Sequence, residues 1–188
     1  MDSNIMLESS SLFIRTSVFS DCFYFTEWEE KEYVKQFFTI SDGRDYEEIV
    51  TEFIHRKIDD TKLQFTIVYK ATNIPIGRIY ISRIDKEYDS LDITRIYIGE
   101  EEFLSKGYGR EALIAVLNYC FEEIKVERVT LDFFEENKRA RNLYESVGFK
   151  PEGIMRNAGK KNGRYVNLHL MSILKEDYFK GIMRHIHI

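Results

Sequence analysis

The turn around residues 106–110 has the composition of a phosphate-binding site. Gly107 and Gly109 lie between Lys106 and Arg110, where an amphipathic helical pattern begins. Glycine lets backbone N–H groups approach a phosphate closely, and successive N–H groups at a helix N-terminus form a concave anion site. The turn lacks the Gly-Lys-Ser/Thr ending of a Walker loop and the third glycine of a dinucleotide fold. Taken alone, it is equally compatible with a glycine-capped helix that binds no ligand.

A second motif follows one predicted strand later, over residues 137–149. Asn137, Ala140 and Tyr144 fall on one face of a predicted helix, because their spacing follows the helical turn. Asn137 suits the N-cap of this helix, and Gly148 suits its C-terminal cap. A tyrosine on an amphipathic helix, such as Tyr144, is commonly a core residue.

These two motifs, in this order, resemble those of the GNAT superfamily of N-acetyltransferases. The closing stretch between Glu152 and Leu174 is similar to the end of one branch, which contains ribosomal-protein N-terminal acetyltransferases and spermidine acetyltransferases. The resemblance covers residues 64–174 by motif and the N-terminal third by pattern alone. It implies an acetyl-CoA-dependent transfer of an acetyl group to a primary amine of a small polyamine, an amino sugar or a protein N-terminus. It also implies an α/β (α+β) fold with a mixed, mostly antiparallel sheet and helices on both faces.

The resemblance further implies that acetyl-CoA (CoA) is the co-substrate. Family members bind the pantetheine arm between two strands that separate, which we expect here at residues 91–98 and 126–134. The cofactor-binding residues that the resemblance implies are Ile96, Tyr97, Ile98, Leu104, Ser105, Lys106, Gly107, Tyr108, Gly109, Arg110, Asn137 and Ala140. Leu104 stands where the family usually has Arg or Gln, so we expect backbone N–H groups to bind the pyrophosphate.

The resemblance also suggests the catalytic residues. It places Tyr144 near the sulfur as a general acid, and a backbone N–H near residues 96–98 at the thioester carbonyl. Asp92 is the first candidate for the base, because family bases often lie on the strand before the turn. The acids at residues 100–102 are more typical of a charged rim. Direct attack without a dedicated base is also open, since water can carry the proton away.

The acceptor site is predicted in the aromatic and acidic segment at residues 23–33, where the first helices of the family cover the substrate. We expect Trp28 or Glu29 to lie near the amine; the alternative is that the segment packs onto the core. Two other functions stay open, namely a non-catalytic acyl-CoA-binding sensor on the same fold and a structural domain without a cofactor.

Hydrophobic periodicity predicts the elements that must position these residues. The predicted strands cover residues 12–15, 64–69, 76–84, 91–98, 126–134, 149–155 and 165–174. One or two short helices are predicted within residues 19–38. Further helices are predicted at residues 46–58, about 107–124 and 137–147. The connections between the second, third and fourth strands are too short for a crossover helix, which predicts an antiparallel meander.

Composition narrows the functional classes. The chain has 188 residues, 44% hydrophobic and 31% charged, and no linker-like stretch, so we expect one domain over residues 1–188. The net charge of −5 argues against general nucleic-acid binding. Neither the two cysteines nor any apolar run predicts a disulfide, a metal site or a membrane span. We expect a cytoplasmic enzyme with a small-molecule or peptide amine as its acceptor; a homodimer is left open.

Overall fold

The computed structural model describes residues 4–38 and 44–186. Its strands are β1 (Met6–Glu8), β2 (Leu12–Thr16), β3 (Leu63–Tyr69), β4 (Ile74–Asp85), β5 (Ser90–Ile98), β6 (Arg128–Phe134), β7 (Lys150–Lys161) and β8 (Arg164–Leu174). Its helices are α1 (Asp21–Glu30), α2 (Glu32–Lys35), α3 (Tyr46–Lys57), α4 (Tyr108–Tyr119), α5 (Lys138–Val147) and α6 (Lys175–Ile186). Within the described ranges, no helix has the length and apolar character needed to cross a membrane.

Eight strands of the described chain form one sheet in the order β1-β2-β3-β4-β5-β6-β8-β7. Neighbouring strands are antiparallel except for β5 and β6, which are parallel and joined through α4. The predicted meander is therefore confirmed as β3-β4-β5, and so is the mixed, mostly antiparallel sheet.

The two parallel strands pair over only three positions before they separate. Ser90 lies opposite Arg128 and Asp92 lies opposite Thr130, whereas β5 continues to Ile98 and β6 continues to Phe134. The register of β4 against β5 shifts at the same place, which leaves Thr94 as an extra residue in β5. Because such a bulge bends its strand and increases the local twist, it accounts for the separation. The result is an opening in the middle of the sheet.

Helices cover both faces of the sheet, as the sequence predicts. Alternate residues of a strand point to opposite faces. Ile79 and Ile81 of β4 belong to the main core, which also contains Leu113 of α4. Arg78 of β4 points the other way and contacts Glu29 of α1. A second, smaller core between α1 and α3 covers that other face.

Three local features differ from the predicted pattern. The short edge strand β1 and the C-terminal helix α6 were not predicted. The helix expected to run to about residue 124 instead ends at Tyr119 and is followed by one π-helical turn that closes at Lys125, whose φ is +66°. Strands β7 and β8 extend farther than expected, because the tight turn at Asn162 and Gly163, with φ of +48° and +76°, joins them.

Candidate active site

A cleft of about 680 Å³ occupies the opening between β5 and β6. One end is formed by the turn that precedes α4, and the cleft face of α5 forms a side wall. The other end is covered by residues 33–38, which follow α1, and by Ala158 of β7. The separation of two central strands thus creates a channel through the sheet with one helix N-terminus at its edge.

The turn before α4 has the geometry of an anion site. Gly107 is the N-cap with φ of +87°, and the first bond within the helix runs from the Glu111 N–H to the Gly107 carbonyl at 3.0 Å. The N–H groups of residues 108–110 are consequently not used inside the helix. A Cβ built on Gly109 meets only a methyl group of Leu143, at 3.9 Å, so this glycine borders open space. The turn therefore fits the diphosphate of CoA through backbone donors and the helix dipole.

Helix α5 and its N-cap present small, polar and aromatic residues to the cleft. Asn137 caps the helix by accepting a hydrogen bond from the Ala140 N–H at 3.0 Å. Ala140, one turn later, lines the cleft with a single methyl group and leaves room beside it. Gly148 ends the helix with φ of +108°, as predicted. These two caps fix where α5 begins and ends.

Tyr144 lines the cleft although its side chain is 7% exposed. Its ring packs against Phe133 and Phe149, with centroid distances of 5.5 and 5.9 Å. Burial raises the pKa of Tyr144 well above its ordinary value, and the negative charges of Asp132 and Asp92 raise it further. The phenol therefore stays protonated and able to donate a hydrogen bond.

Most of the cofactor-binding residues expected from the sequence meet at this cleft. The structure brings to its lining Ile96, Tyr97, Ile98, Leu104, Ser105, Gly107, Tyr108, Gly109, Arg110, Asn137, Ala140 and the catalytic candidate Tyr144. Lys106 belongs to the same turn but is outside the lining, and its ammonium lies 5.7 Å from the centroid of the Phe103 ring.

Asp92, the first candidate for the base, is not brought into the cleft. It lies in the paired part of β5 and is 5% exposed. Its two oxygens accept hydrogen bonds from the Thr94 and Thr130 hydroxyls at 2.8 and 3.0 Å. The bond from Thr130 links β6 to β5 where the two strands begin to separate.

Trp28 and Glu29 also lie outside the cleft lining. Trp28 is fully buried, and its Nε1 donates to Glu100 Oε1 at 2.6 Å. A Cβ on Gly99 would lie 2.2 Å from the Trp28 ring, so the glycine is required for this packing. The structure brings Tyr33, from the same predicted acceptor segment, to the cleft instead.

Glu29 belongs to a buried group of ionised side chains, here called the arginine cluster. Its members are Arg44, Arg56, Arg78 and Arg95 with Glu29 and Glu52. Glu29 accepts from Arg78 at 2.9 Å, from Arg95 at 3.2 Å and from the Tyr97 hydroxyl at 3.1 Å. Although burial raises the pKa of Glu29, the charges of Arg95, Arg78 and Arg44 outweigh that effect and hold the pKa below its ordinary value.

Several polar residues that line the cleft were missed by sequence reasoning, and Asp132 and Arg95 are the two that matter most for the chemistry. Burial raises the pKa of Asp132, the nearby charge of Asp92 raises it further, and Arg83 lowers it. A signal for Asp132 was present, since Leu131 and Phe133 alternate toward the core and must leave the intervening acid on the opposite face. Arg95 had no such signal, because the bulge at Thr94 changes the alternation along β5.

A helix N-terminus with unused N–H groups, a buried phenol on the next helix and the cleft that both line fit a transferase whose donor carries a phosphate. A family model described as an acetyltransferase (GNAT) domain matches residues 12–150. The chain therefore belongs to the GNAT acetyltransferases, N-acetyltransferases that take the acetyl group from acetyl-CoA and transfer it to an amine.

Individual relatives agree with this family. An uncharacterised N-acetyltransferase, p20 of Bacillus licheniformis, is 26% identical over 159 residues, which cover 84% of this chain and 86% of the relative. The spermidine N(1)-acetyltransferase of Vibrio cholerae is 29% identical over 132 residues, covering 70% and 73%. The crystal structure of spermidine N-acetyltransferase from Vibrio cholerae with CoA and spermine has a TM-score of 0.82 at 24% identity, covering 90% of this chain and 99% of that chain. This structural likeness shows the shared fold.

Proposed function

We propose that this chain acetylates a primary amine in the cleft between β5 and β6, with acetyl-CoA entering from the side of the turn at residues 104–110. The observation that carries the proposal is the separation of the two strands beyond Asp92 and Thr130, with the unused N–H groups of α4 at one end. The pyrophosphate would lie against these N–H groups and near Arg110. The acceptor would enter from the opposite end, beside residues 33–38.

The chain's own groups then have distinct roles. When bound, acetyl-CoA supplies an activated acetyl group as a thioester. Backbone N–H groups of β5 near residues 96–98, which have no pairing with β6, would polarise the carbonyl. The Tyr144 phenol would donate a hydrogen bond to the departing sulfur, and its raised pKa keeps the proton in place until negative charge develops there.

The proton of the acceptor amine needs a second group. We favour Asp132 over Asp92 for this role, because Asp132 lines the cleft whereas both oxygens of Asp92 are bound by threonine hydroxyls. A carboxylate whose pKa is raised by burial is also a stronger base than an exposed one. The neighbouring negative charge of Asp92 would raise the pKa of this base further.

A direct experiment tests this proposal in two stages. First, CoA added to the purified protein should raise its melting temperature, since a ligand that binds only the native state stabilises it. Second, acetyl-CoA incubated with a panel of polyamines, amino sugars, amino acids and peptides should release free thiol with at least one amine. If CoA raises the melting temperature but no amine accelerates thiol release, the protein binds CoA without catalysing acetyl transfer.

A further inference from the structure

We infer that the acceptor is an amine that also carries an anionic group, a carboxylate or a phosphate, and that Arg95 binds this group at the acceptor end of the cleft. The inference rests on the proposed function, since it specifies which amine the site would take. Two observations support it. The buried arginine cluster has more positive than negative charge, and Arg95 of that cluster faces the cleft.

The arginine cluster holds more positive than negative charge. Four guanidinium groups surround two carboxylates, so the cluster carries a net charge of +2. Arg78 is fully buried between Glu29 and Glu52 at 2.9 and 3.1 Å. Arg44 contacts the same two carboxylates at 2.5 Å each. Arg56 contacts Glu52 at 2.5 Å and Arg95 contacts Glu29 at 3.2 Å, so each carboxylate is shared by several guanidinium groups.

The two remaining arginines face different surroundings. Arg56 lies in a shallow groove on the outer side of α3, which Asp45, Glu47 and Glu48 also line. Arg95 faces the cleft, where Asp132 is the one acidic residue that the described part of the chain contributes to the lining. Acidic side chains thus share the groove of Arg56, whereas the part of the Arg95 guanidinium that does not contact Glu29 and Glu52 faces the cleft.

The burial and contacts of Arg95 also suit its side chain to bind an anion. Its side chain is nine-tenths buried, and its guanidinium lies 5.2 Å from the centroid of the Phe38 ring. Only Nη1 contacts an acid, Glu29 at 3.2 Å and Glu52 at 3.6 Å, and the other two nitrogens have no hydrogen-bond partner among the described residues. Burial lowers the pKa of Arg95 despite the attraction of Glu29, which means that its charge is poorly solvated. A planar fork of unused donors matches a carboxylate or phosphate.

The same charge disfavours a polycation. Arg83 and Arg139 line the cleft together with Arg95, so most of its charged side chains are positive. Positive charge close to an ammonium group lowers its pKa, which favours the neutral amine that attack requires. It also repels additional ammonium groups, for which Asp132 is the one anionic partner among the described lining residues. The site therefore differs in charge from one that would select spermidine, the amine named for the Vibrio cholerae relative.

Matched acceptors test the inference and separate the two sources of the anion. Glucosamine 6-phosphate is compared with glucosamine, and β-alanine with β-alaninamide, while spermidine is the polycation. We expect the anionic member of one pair to have at least a tenfold higher kcat/KM than its neutral partner and than spermidine. Preference for the phosphate pair identifies a phosphorylated amine, and preference for the carboxylate pair identifies an amino acid or a peptide.

Two variants connect the preference to the proposed residue. Arg95→Gln should remove at least tenfold of the preference for the anion through KM, while Arg95→Lys should retain part of it. Arg56→Gln is the matched control, since it removes the same charge from the same cluster away from the cleft and should keep the preference. Calorimetric binding of the two pairs to the CoA-loaded protein gives a second readout that needs no turnover, and the same loss in Arg95→Gln is expected there.

Equal or better use of spermidine or the neutral partners would overturn the inference while leaving the proposed acetylation intact. So would an Arg95→Gln variant that is folded, binds CoA normally and retains the anion preference. Failure of the proposed function has a different signature, because no amine would then accelerate thiol release although the calorimetric comparison could still show the anion site.

Discussion

Tyr144 combines burial with access to the cleft, and this combination allows its hydroxyl to be tested separately from its ring. Tyr144→Phe should leave the packing against Phe133 and Phe149 in place, because the ring is retained. If the hydroxyl stabilises the departing sulfur, kcat should fall by about 10²–10⁴-fold, and the Michaelis constants should change little. Steady-state kinetics measure kcat and the Michaelis constants, and calorimetry with CoA measures whether the cofactor still binds. A kcat close to that of the native chain would return Tyr144 to a purely structural role.

The two aspartates of the opening should respond differently to the same change. Asp132→Asn should lower kcat by about 10²-fold, since it removes the proposed base but keeps its shape. Because a base works in its deprotonated form, kcat/KM of the native chain should fall as pH drops through the raised pKa of Asp132, and the variant should lack this limb.

Asp92→Asn provides the contrast to Asp132→Asn. It weakens the hydrogen bonds to Thr94 and Thr130. The free energy of unfolding should therefore fall by about 1–3 kcal/mol, with kcat nearly unchanged. The reverse pattern, with a large kcat loss at Asp92 and none at Asp132, would restore Asp92 as the base. Denaturant unfolding and pH–rate profiles of the three proteins decide between them.

Single residues were predictable from the sequence where a backbone requirement fixed them. Gly107 and Gly148 occupy positive φ at helix ends, which few residues other than glycine adopt readily. The surroundings of Trp28 and Glu29 were not predictable in this way. Their positions in α1 leave open whether they face the substrate or the sheet, and long-range contacts to Glu100 and Arg78 determine the outcome.

At the scale of elements, one substitution in the turn before α4 should stabilise the helix and weaken the binding of CoA. Gly109→Asp places a carboxylate in the first turn of α4, where the helix dipole stabilises negative charge. The added Cβ has open space around it, so the fold should be retained. The same carboxylate would repel a pyrophosphate, and we expect CoA affinity to fall at least tenfold, which corresponds to about 1.4 kcal/mol.

Two further variants make that result specific. Gly109→Ala adds only the Cβ and should lose less affinity than Gly109→Asp. Gly181→Asp adds a carboxylate on α6, again with open space around the Cβ, and should bind CoA as the native chain does. Calorimetry with CoA measures all three. Unchanged affinity in a folded Gly109→Asp protein would remove the pyrophosphate from this turn.

The elements that periodicity predicted are those with one apolar face, and this explains which ones were missed. Helices α3, α4 and α5 and the central strands repeat apolar residues at the spacing of their structure. Strand β1 has only three residues, too few for a pattern. Helix α6 follows β8 without an intervening turn, and its anchor is a tertiary contact, since the Tyr178 ring lies 5.2 Å from that of Phe121. Neither element could be inferred from local sequence.

At the scale of the whole molecule, the order of elements was predictable but the end of the cleft that we propose for the acceptor was not. The order follows from alternating periodicities and short connections. This proposed acceptor end is assembled from Phe38, Arg95, Asp132 and Ala158, which lie far apart in the chain and have no common motif. Such a site depends on where the strands separate, and that depends in turn on a bulge that no composition rule identifies.

The arginine cluster joins α1, α3, β4 and β5, so its ionisation should affect the stability of the whole fold. Burial raises the pKa of Glu52, but Arg95, Arg78, Arg44 and Arg56 lower it more strongly, to about 2 from an ordinary 4.5. A carboxylate with a lowered folded pKa contributes stability that is complete above its unfolded pKa and is lost as pH falls through the folded one. The contribution of Glu52 should therefore disappear between about pH 4.5 and pH 2.

Glu52→Gln tests this coupling in the intact protein. At pH 7 the variant leaves the four arginines with one carboxylate, and we expect its free energy of unfolding to be lower by about 3–5 kcal/mol, the cost of breaking a buried pair. The difference from the native chain should shrink as pH falls toward 2, because the native Glu52 is then protonated as well. Glu47→Gln, at an exposed position of the same helix, should follow the native curve throughout. Denaturant unfolding at several pH values measures the difference, and a difference that stays constant with pH would mean that Glu52 acts through packing and not through its charge.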